Sequence, residues 1–159
     1  MRWSELSDDL SVWSLPAERV KNGRPHLVPL PEAAREVIRS VPRTSDTFVL
    51  SLGADEPLES FSRAKRRLDA LAGVIEWTWH DLRRTCASGL QRLGLQLPVA
   101  EAILNHKSGS ISGVAAVYLR HDFAAEKRAA LQAWADRVEA LVEGREAATN
   151  VIELADRRA

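Results

Sequence analysis

The stretch GVAAVYLRHDF, residues 113–123, holds the only tyrosine of the sequence, Tyr118. A phenol hydroxyl can serve as a nucleophile when a neighbour takes its proton and cations gather the developing charge. A lone tyrosine is also an ordinary half-buried aromatic whose hydroxyl finds one partner. Upstream, His80 and Arg83 in HDLRR stand at i and i+3. On a helix they project from one face and can act on a single phosphate together, although a solvated charged face has the same pattern. His106 closes ILNH, where the helix dipole alone would favour a histidine. Lys21 lies in VKNGRPH, a turn in which a lysine otherwise keeps the tip soluble.

These residues need elements to hold them. VWSLPAE and HLVPLP alternate as short strands around KNGRP. The Asn-Gly pair is a two-residue turn signal and predicts a hairpin with Lys21 near its tip. From Pro31 the period changes: PEAAREVIRSV places Ala33, Val37, Ile38 and Val41 at helical spacing, after a Pro-Glu start. TFVLS reads as a further strand. PLESFSRAKRRLDALAG predicts a helix with Leu58, Phe61, Leu68 and Leu71 on its apolar side and Arg63, Arg66 and Arg67 on its basic side, stopped by glycine.

HDLRRTCASGLQRLG predicts a helix ending at Gly94 with Leu82, Cys86, Leu90 and Leu93 as its buried stripe. PVAEAILNH opens with proline and buries Val99, Ile103 and Leu104; GSISGVAAVY leads as a helix into Tyr118. DFAAEKRAALQAWADRVEALVEG has the clearest helical period, with Leu131, Trp134, Val138 and Leu141 at steps of three and four. The fold class expected is mainly α with a small N-terminal antiparallel sheet, an α+β arrangement. Residues 1–143 form one domain in this reading and residues 144–159 a weakly amphipathic tail.

The bulk composition narrows the function. The chain has 159 residues, 45% of them hydrophobic and 28% charged, enough for one domain with a core. No apolar run approaches the ~20 residues of a membrane span, and the acidic MRWSELSDDL is unlike a signal peptide, so a cytoplasmic location is expected. Cys86 is the single cysteine, which removes disulfide frameworks and thiol metal sites. The formal net charge is zero, yet Arg63 to Arg92 carries seven basic residues against three acidic ones. A neutral chain can thus present one cationic face to a phosphate backbone. There is no HExxH, no glycine-rich phosphate loop and no G-x-S-x-G elbow.

Taken in order, Lys21, HDLRR, ILNH and VAAVYLRHD resemble the tyrosine recombinase (phage integrase) family, specifically the C-terminal part of its catalytic domain. The flanking phrases RWSELS, VWSLPAERVKNGRPHLVPL and FSRAKRRLDALAGVIEWTWHDLRRT are similar to prophage-type integrases, and the resemblance runs to about Glu143. Type IB topoisomerases use related tyrosine chemistry, but those phrases favour an integrase.

The resemblance implies a site-specific DNA recombinase that cleaves and rejoins strands through a 3′-phosphotyrosyl intermediate, with neither a metal nor another cofactor. Tyr118 would be the nucleophile, Arg83 the second of two phosphate-clamping arginines, and Lys21 the general acid for the leaving 5′-oxygen. His80 would assist proton transfer at the nucleophile and His106 would hydrogen-bond the phosphate. Arg24, Lys65, Arg66, Arg84 and Lys107 are expected at double-stranded DNA. The family's first catalytic arginine, in a Thr-Gly-x-Arg-x-x-Glu motif, has no counterpart here; Arg2 falls in the strand phrase that follows it. An N-terminally truncated enzyme is therefore expected, with a non-catalytic DNA-binding or assembly remnant as the alternative. The segment after the tyrosine is a candidate contact for a homo-oligomer on DNA.

Overall fold

Two short strands begin the architecture in the computed structural model, which describes residues 1–53, 55–59, 61–105 and 122–145. Strand β1 (Val12–Leu15) pairs antiparallel with β2 (His26–Pro29), Val12 opposite Pro29 and Leu15 opposite His26. Pro29, which has no N–H to give, falls at the end of the ladder where the loss is tolerated. The connection is not a two-residue turn. It spans residues 16–25 and contains a short 3-10 turn, Ala17–Arg19. Asn22 and Gly23 belong to a tighter bend inside it, where the Gly23 N–H donates to the Val20 carbonyl at 2.8 Å and Gly23 has φ +65°.

TFVLS does not extend the sheet. Phe48 forms a single bridge with Arg2, flanked by Trp3 N–H to Thr47 O and Val49 N–H to Met1 O. The reason is local competition for the backbone. The buried Ser45 hydroxyl oxygen accepts from the N–H groups of Thr47 and Phe48 at 3.1 and 2.8 Å, and Asp55 accepts from the Thr47 hydroxyl at 2.8 Å.

Five helices follow among the described residues: α1 (Glu32–Ser40), α2 (Phe61–Ala72), α3 (Trp79–Arg92), α4 (Leu97–Leu104) and α5 (Ala124–Val142). The chain is thus mostly helical with a small antiparallel sheet near its N-terminus. Helix α1 starts after Pro31 and buries Ile38, whereas Val37 faces outward. None of these helices is long and apolar enough to cross a membrane.

The core lies where α3, α4 and α5 meet. Leu90, Val99 and Ala130 are its buried centre, with Cys86, Leu95, Ile103, Phe123 and Trp134 packed around them. Leu82 and Leu93, expected in the α3 stripe, are exposed. On α5 the buried positions are Lys127, Ala130, Ala135 and Ala140, while Val138 and Leu141 face out. Small side chains let the helix backbones come close, and Gly89 of α3 carries this furthest: a Cβ built there would lie 2.6 Å from Cε3 of Trp134.

Helix α2 departs most from its pattern. Phe61, Leu68 and Leu71 are all exposed, so its apolar side is uncovered among the described residues. An aromatic cluster gathers beside it instead. Trp79 meets the edges of Phe61 and Trp77, with ring centroids 6.3 and 5.2 Å apart.

Candidate active site

The N-terminus of α3 displays two of the proposed groups. Thr78 caps it, and Asp81 accepts from the Thr78 N–H and hydroxyl at 2.8 and 2.7 Å. Those bonds, with Arg84 at 2.9 Å, hold the Asp81 carboxyl down to about 2. Asp81 of HDLRR is therefore a capping residue, and Arg84 is paired to it. His80 and Arg83, one turn apart, both lie on the exposed face of the helix.

The C-terminus of α4 is where separate elements converge. A helix leaves its last carbonyls without intrahelical partners and carries partial negative charge at that end. Here other elements supply the donors. The Ile103 carbonyl lies 3.2 Å from Nε2 of His26 on β2, and the Leu104 carbonyl accepts from Nη2 of Arg83 on α3. Asn105, the next residue, ends the helix in the left-handed region at φ 49°, a conformation asparagine tolerates. Its Oδ1 accepts from Nδ2 of Asn22 in the hairpin connection at 2.7 Å.

Asn22 is fixed from both ends of its amide, because its Oδ1 also accepts the Arg24 N–H at 3.1 Å. The exposed Lys21 immediately precedes it. Arg83 has five N–H donors, so one bond to Leu104 orients the guanidinium without exhausting it.

A second tie holds β2 from the other side. The buried Lys127 of α5 donates from Nζ to the Leu27 carbonyl at 3.2 Å. Burial lowers the pKa of His26, against the opposing effect of the Ile103 carbonyl, and the charges of Lys127 and Arg83 lower it further. A neutral ring that donates through Nε2–H is the form that suits a carbonyl partner. Burial also raises the Cys86 thiol, which Arg83 partly offsets.

The structure thus brings the Lys21-bearing hairpin and Arg83 to one place, the end of α4. Arg24 is exposed in the same connection and Arg66 is exposed on α2. Lys65 is committed elsewhere: it pairs with Asp69 at 2.9 Å and stacks over Trp77 at 4.7 Å, bracing α2 against the segment that follows. His106, Lys107, Tyr118 and the predicted GSISGVAAVY helix lie outside the described residues, as do residues 146–159 of the predicted tail. Asn22, His26 and Asn105 are the residues that sequence reasoning passed over. The one available signal was an asparagine in the last turn of a predicted helix, a residue type suited to a left-handed cap. Among the described residues no three His, Cys, Asp or Glu side chains gather as metal ligands.

The phage integrase family model matches residues 1–125. Prophage integrase IntA of Escherichia coli K12 is 30% identical over 148 residues, and prophage integrase IntZ of the same organism is 29% identical over 147. Each alignment covers 90% of this chain but only 35% and 36% of the relative, so the chain spans about a third of the length of these proteins. No solved structure matches. With the family model extending over most of the sequence, the chain belongs to the phage integrase family.

Proposed function

We propose that this chain carries the DNA-cleaving and rejoining chemistry of a tyrosine recombinase. The observation that supports it most is the convergence of the Lys21 hairpin and Arg83 on the last residues of α4, directly before His106. In this reading the Tyr118 hydroxyl attacks a DNA phosphorus atom while His80 takes up its proton. A P–O bond to tyrosine forms, the bond to the 5′-oxygen breaks, and Lys21 protonates that oxygen as it leaves. Arg83 and His106 donate to the non-bridging oxygens, where negative charge accumulates in the transition state. Religation is the same path reversed, so the bond energy is conserved in the phosphotyrosine. Arg24, Arg66, Arg84 and Lys107 contact the DNA backbone around this centre.

A nicked suicide DNA substrate tests the reading. The chain is expected to form a covalent adduct that survives denaturation, and Tyr118→Phe is expected to form none. Absence of adduct from the unsubstituted chain at high concentration refutes catalytic competence. If salt-dependent DNA binding persists in that case, the chain is a non-catalytic DNA-binding module.

A further inference from the structure

Two neighbouring carbonyls at the end of α4 draw donors from different elements. The Ile103 carbonyl lies 3.2 Å from Nε2 of His26 on β2, and the Leu104 carbonyl accepts from Nη2 of Arg83 on α3. Both belong to the last turn of the helix, where carbonyls lack intrahelical partners. His26 is half-buried, and the Arg83 charge lies close enough to its ring to oppose protonation there. The two donors thus share one patch of partial negative charge. Lys127, the other cation acting on the ring, is buried and bonded to the Leu27 carbonyl at 3.2 Å.

A guanidinium has a fixed fork of N–H donors, and each one given to a carbonyl is lost to an anion. A carbonyl stripped of its donor recruits the nearest one available. Arg83, already bonded one residue away, is that donor, whereas Lys127 is held on β2. We propose that His26 is a positioning residue for Arg83: by satisfying the Ile103 carbonyl, it leaves Arg83 one carbonyl to bond on α4 and keeps the rest of the fork free for a phosphate. The inference rests on the phosphate-holding role proposed above for Arg83. His26 itself touches no substrate. Without its ring, Arg83 would straddle both carbonyls and turn from the anion.

Variants of the full chain test this. His26→Phe keeps the ring volume without a donor, and His26→Gln restores an N–H near the position of Nε2. His26→Leu repeats the first comparison if phenylalanine impairs folding, which far-UV circular dichroism reports. In the DNA-free chain, exchange of the Arg83 guanidinium hydrogens with water is followed by NMR, the signal assigned through Arg83→Lys. His26→Phe is expected to slow that exchange about threefold, through the added carbonyl bond, and His26→Gln to leave it at the unsubstituted rate. A hairpin that had merely come loose would leave exchange unchanged or speed it. Unchanged or faster exchange in His26→Phe, including the case in which Lys127 takes the vacant carbonyl, overturns the proposal. With the suicide substrate, His26→Phe is expected to slow adduct formation about tenfold and His26→Gln less than about twofold. In an Arg83→Lys background the cost of His26→Phe is expected to fall below about twofold, because no fork remains to be divided. A cost of about tenfold that persists there also overturns the proposal, since the effect then runs through the hairpin and Lys21. If the unsubstituted chain forms no adduct, the cleavage reading fails and exchange at Arg83 alone decides the role of His26.

Discussion

Gly89→Ala sets two known effects against each other at the contact between α3 and α5. Alanine is the better helix residue, worth about 0.5–1 kcal/mol over glycine inside a helix. Its methyl group, however, would fall 2.6 Å from both Cε3 and Cη2 of Trp134, and closer still to Cζ3. The indole cannot swing aside freely, because it packs against the buried cluster centred on Leu90, Val99 and Ala130. Overpacking a core typically costs about 1–3 kcal/mol. The clash therefore wins, and Gly89→Ala is expected to destabilise the chain by about 1–2 kcal/mol, a fall in Tm of roughly 3–6 °C for a domain of this size.

In a Trp134→Leu background the ring atoms are gone, and the same substitution is expected to stabilise by up to about 1 kcal/mol. Urea unfolding followed by far-UV circular dichroism in the four proteins reads both signs. Gly89→Ala with the same sign in both backgrounds refutes the close approach of the helices.

Two further substitutions separate chemistry from stability. Arg83→Lys keeps a donor for the Leu104 carbonyl but not a planar fork that can also hold a phosphate; adduct formation is expected to fall about 10²–10³-fold with Tm unchanged, read by suicide-substrate assay and thermal melt. Glu5 is buried, which by itself would raise its pKa, but bonds from Arg19, Trp13 and the Arg2 N–H outweigh that and hold it at about 2 against an ordinary 4.5. The folded pKa is depressed, so the stabilisation is complete above pH 4.5 and is lost as pH falls toward 2, amounting to about 3 kcal/mol. The urea stability gap between the unsubstituted chain and Glu5→Gln is expected to close over that window, and a gap constant from pH 7 to pH 2.5 contradicts the assignment.

Helices α1 to α5 were legible as elements because each carries an apolar period, with a proline start at α1 and α4 and a glycine stop at α2 and α3. Which face of each helix meets a neighbour was less legible. Periodicity marks the side that prefers burial, but only a partner decides whether burial happens. Phe61, Leu68 and Leu71 follow the helical period and remain exposed, although Trp79 of α3 meets the Phe61 ring. On α5 the large residues Val138 and Leu141 gave the strongest pattern, yet Ala130, Ala135 and Ala140 are buried where the helices close in. The strand expected at TFVLS failed for a reason outside its own residues, since the N–H groups of Thr47 and Phe48 are taken by the Ser45 hydroxyl.

The candidate site shows the same limit at longer range. Lys21, His80 and Arg83 could be picked out by type and order, but the contacts that assemble them could not. Asn22 reaches Asn105, His26 reaches Ile103, and Arg83 reaches Leu104 across 83, 77 and 21 positions. Arg83 and the Asn-Gly pair stood out in the linear text, but His26, Asn105 and the backbone carbonyls that receive these contacts did not.

That these contacts end on the C-terminus of α4 has a physical cause. A helix end that turns into other elements must find donors for its last carbonyls or lose about 1–3 kcal/mol for each one buried without a partner. Positive or N–H-rich side chains answer that need and match the dipole. A centre that handles a phosphate needs the same kind of side chains in the same kind of cluster. Arg83 serves both: one donor closes the helix, and the rest of its fork is available to an anion. The requirement that satisfies the fold thus gathers cationic and N–H donors around the point where the chain passes into His106. Loss of Arg83 altogether should then weaken the docking of α3 on α4 as well as the chemistry, whereas lysine at that position should weaken only the chemistry.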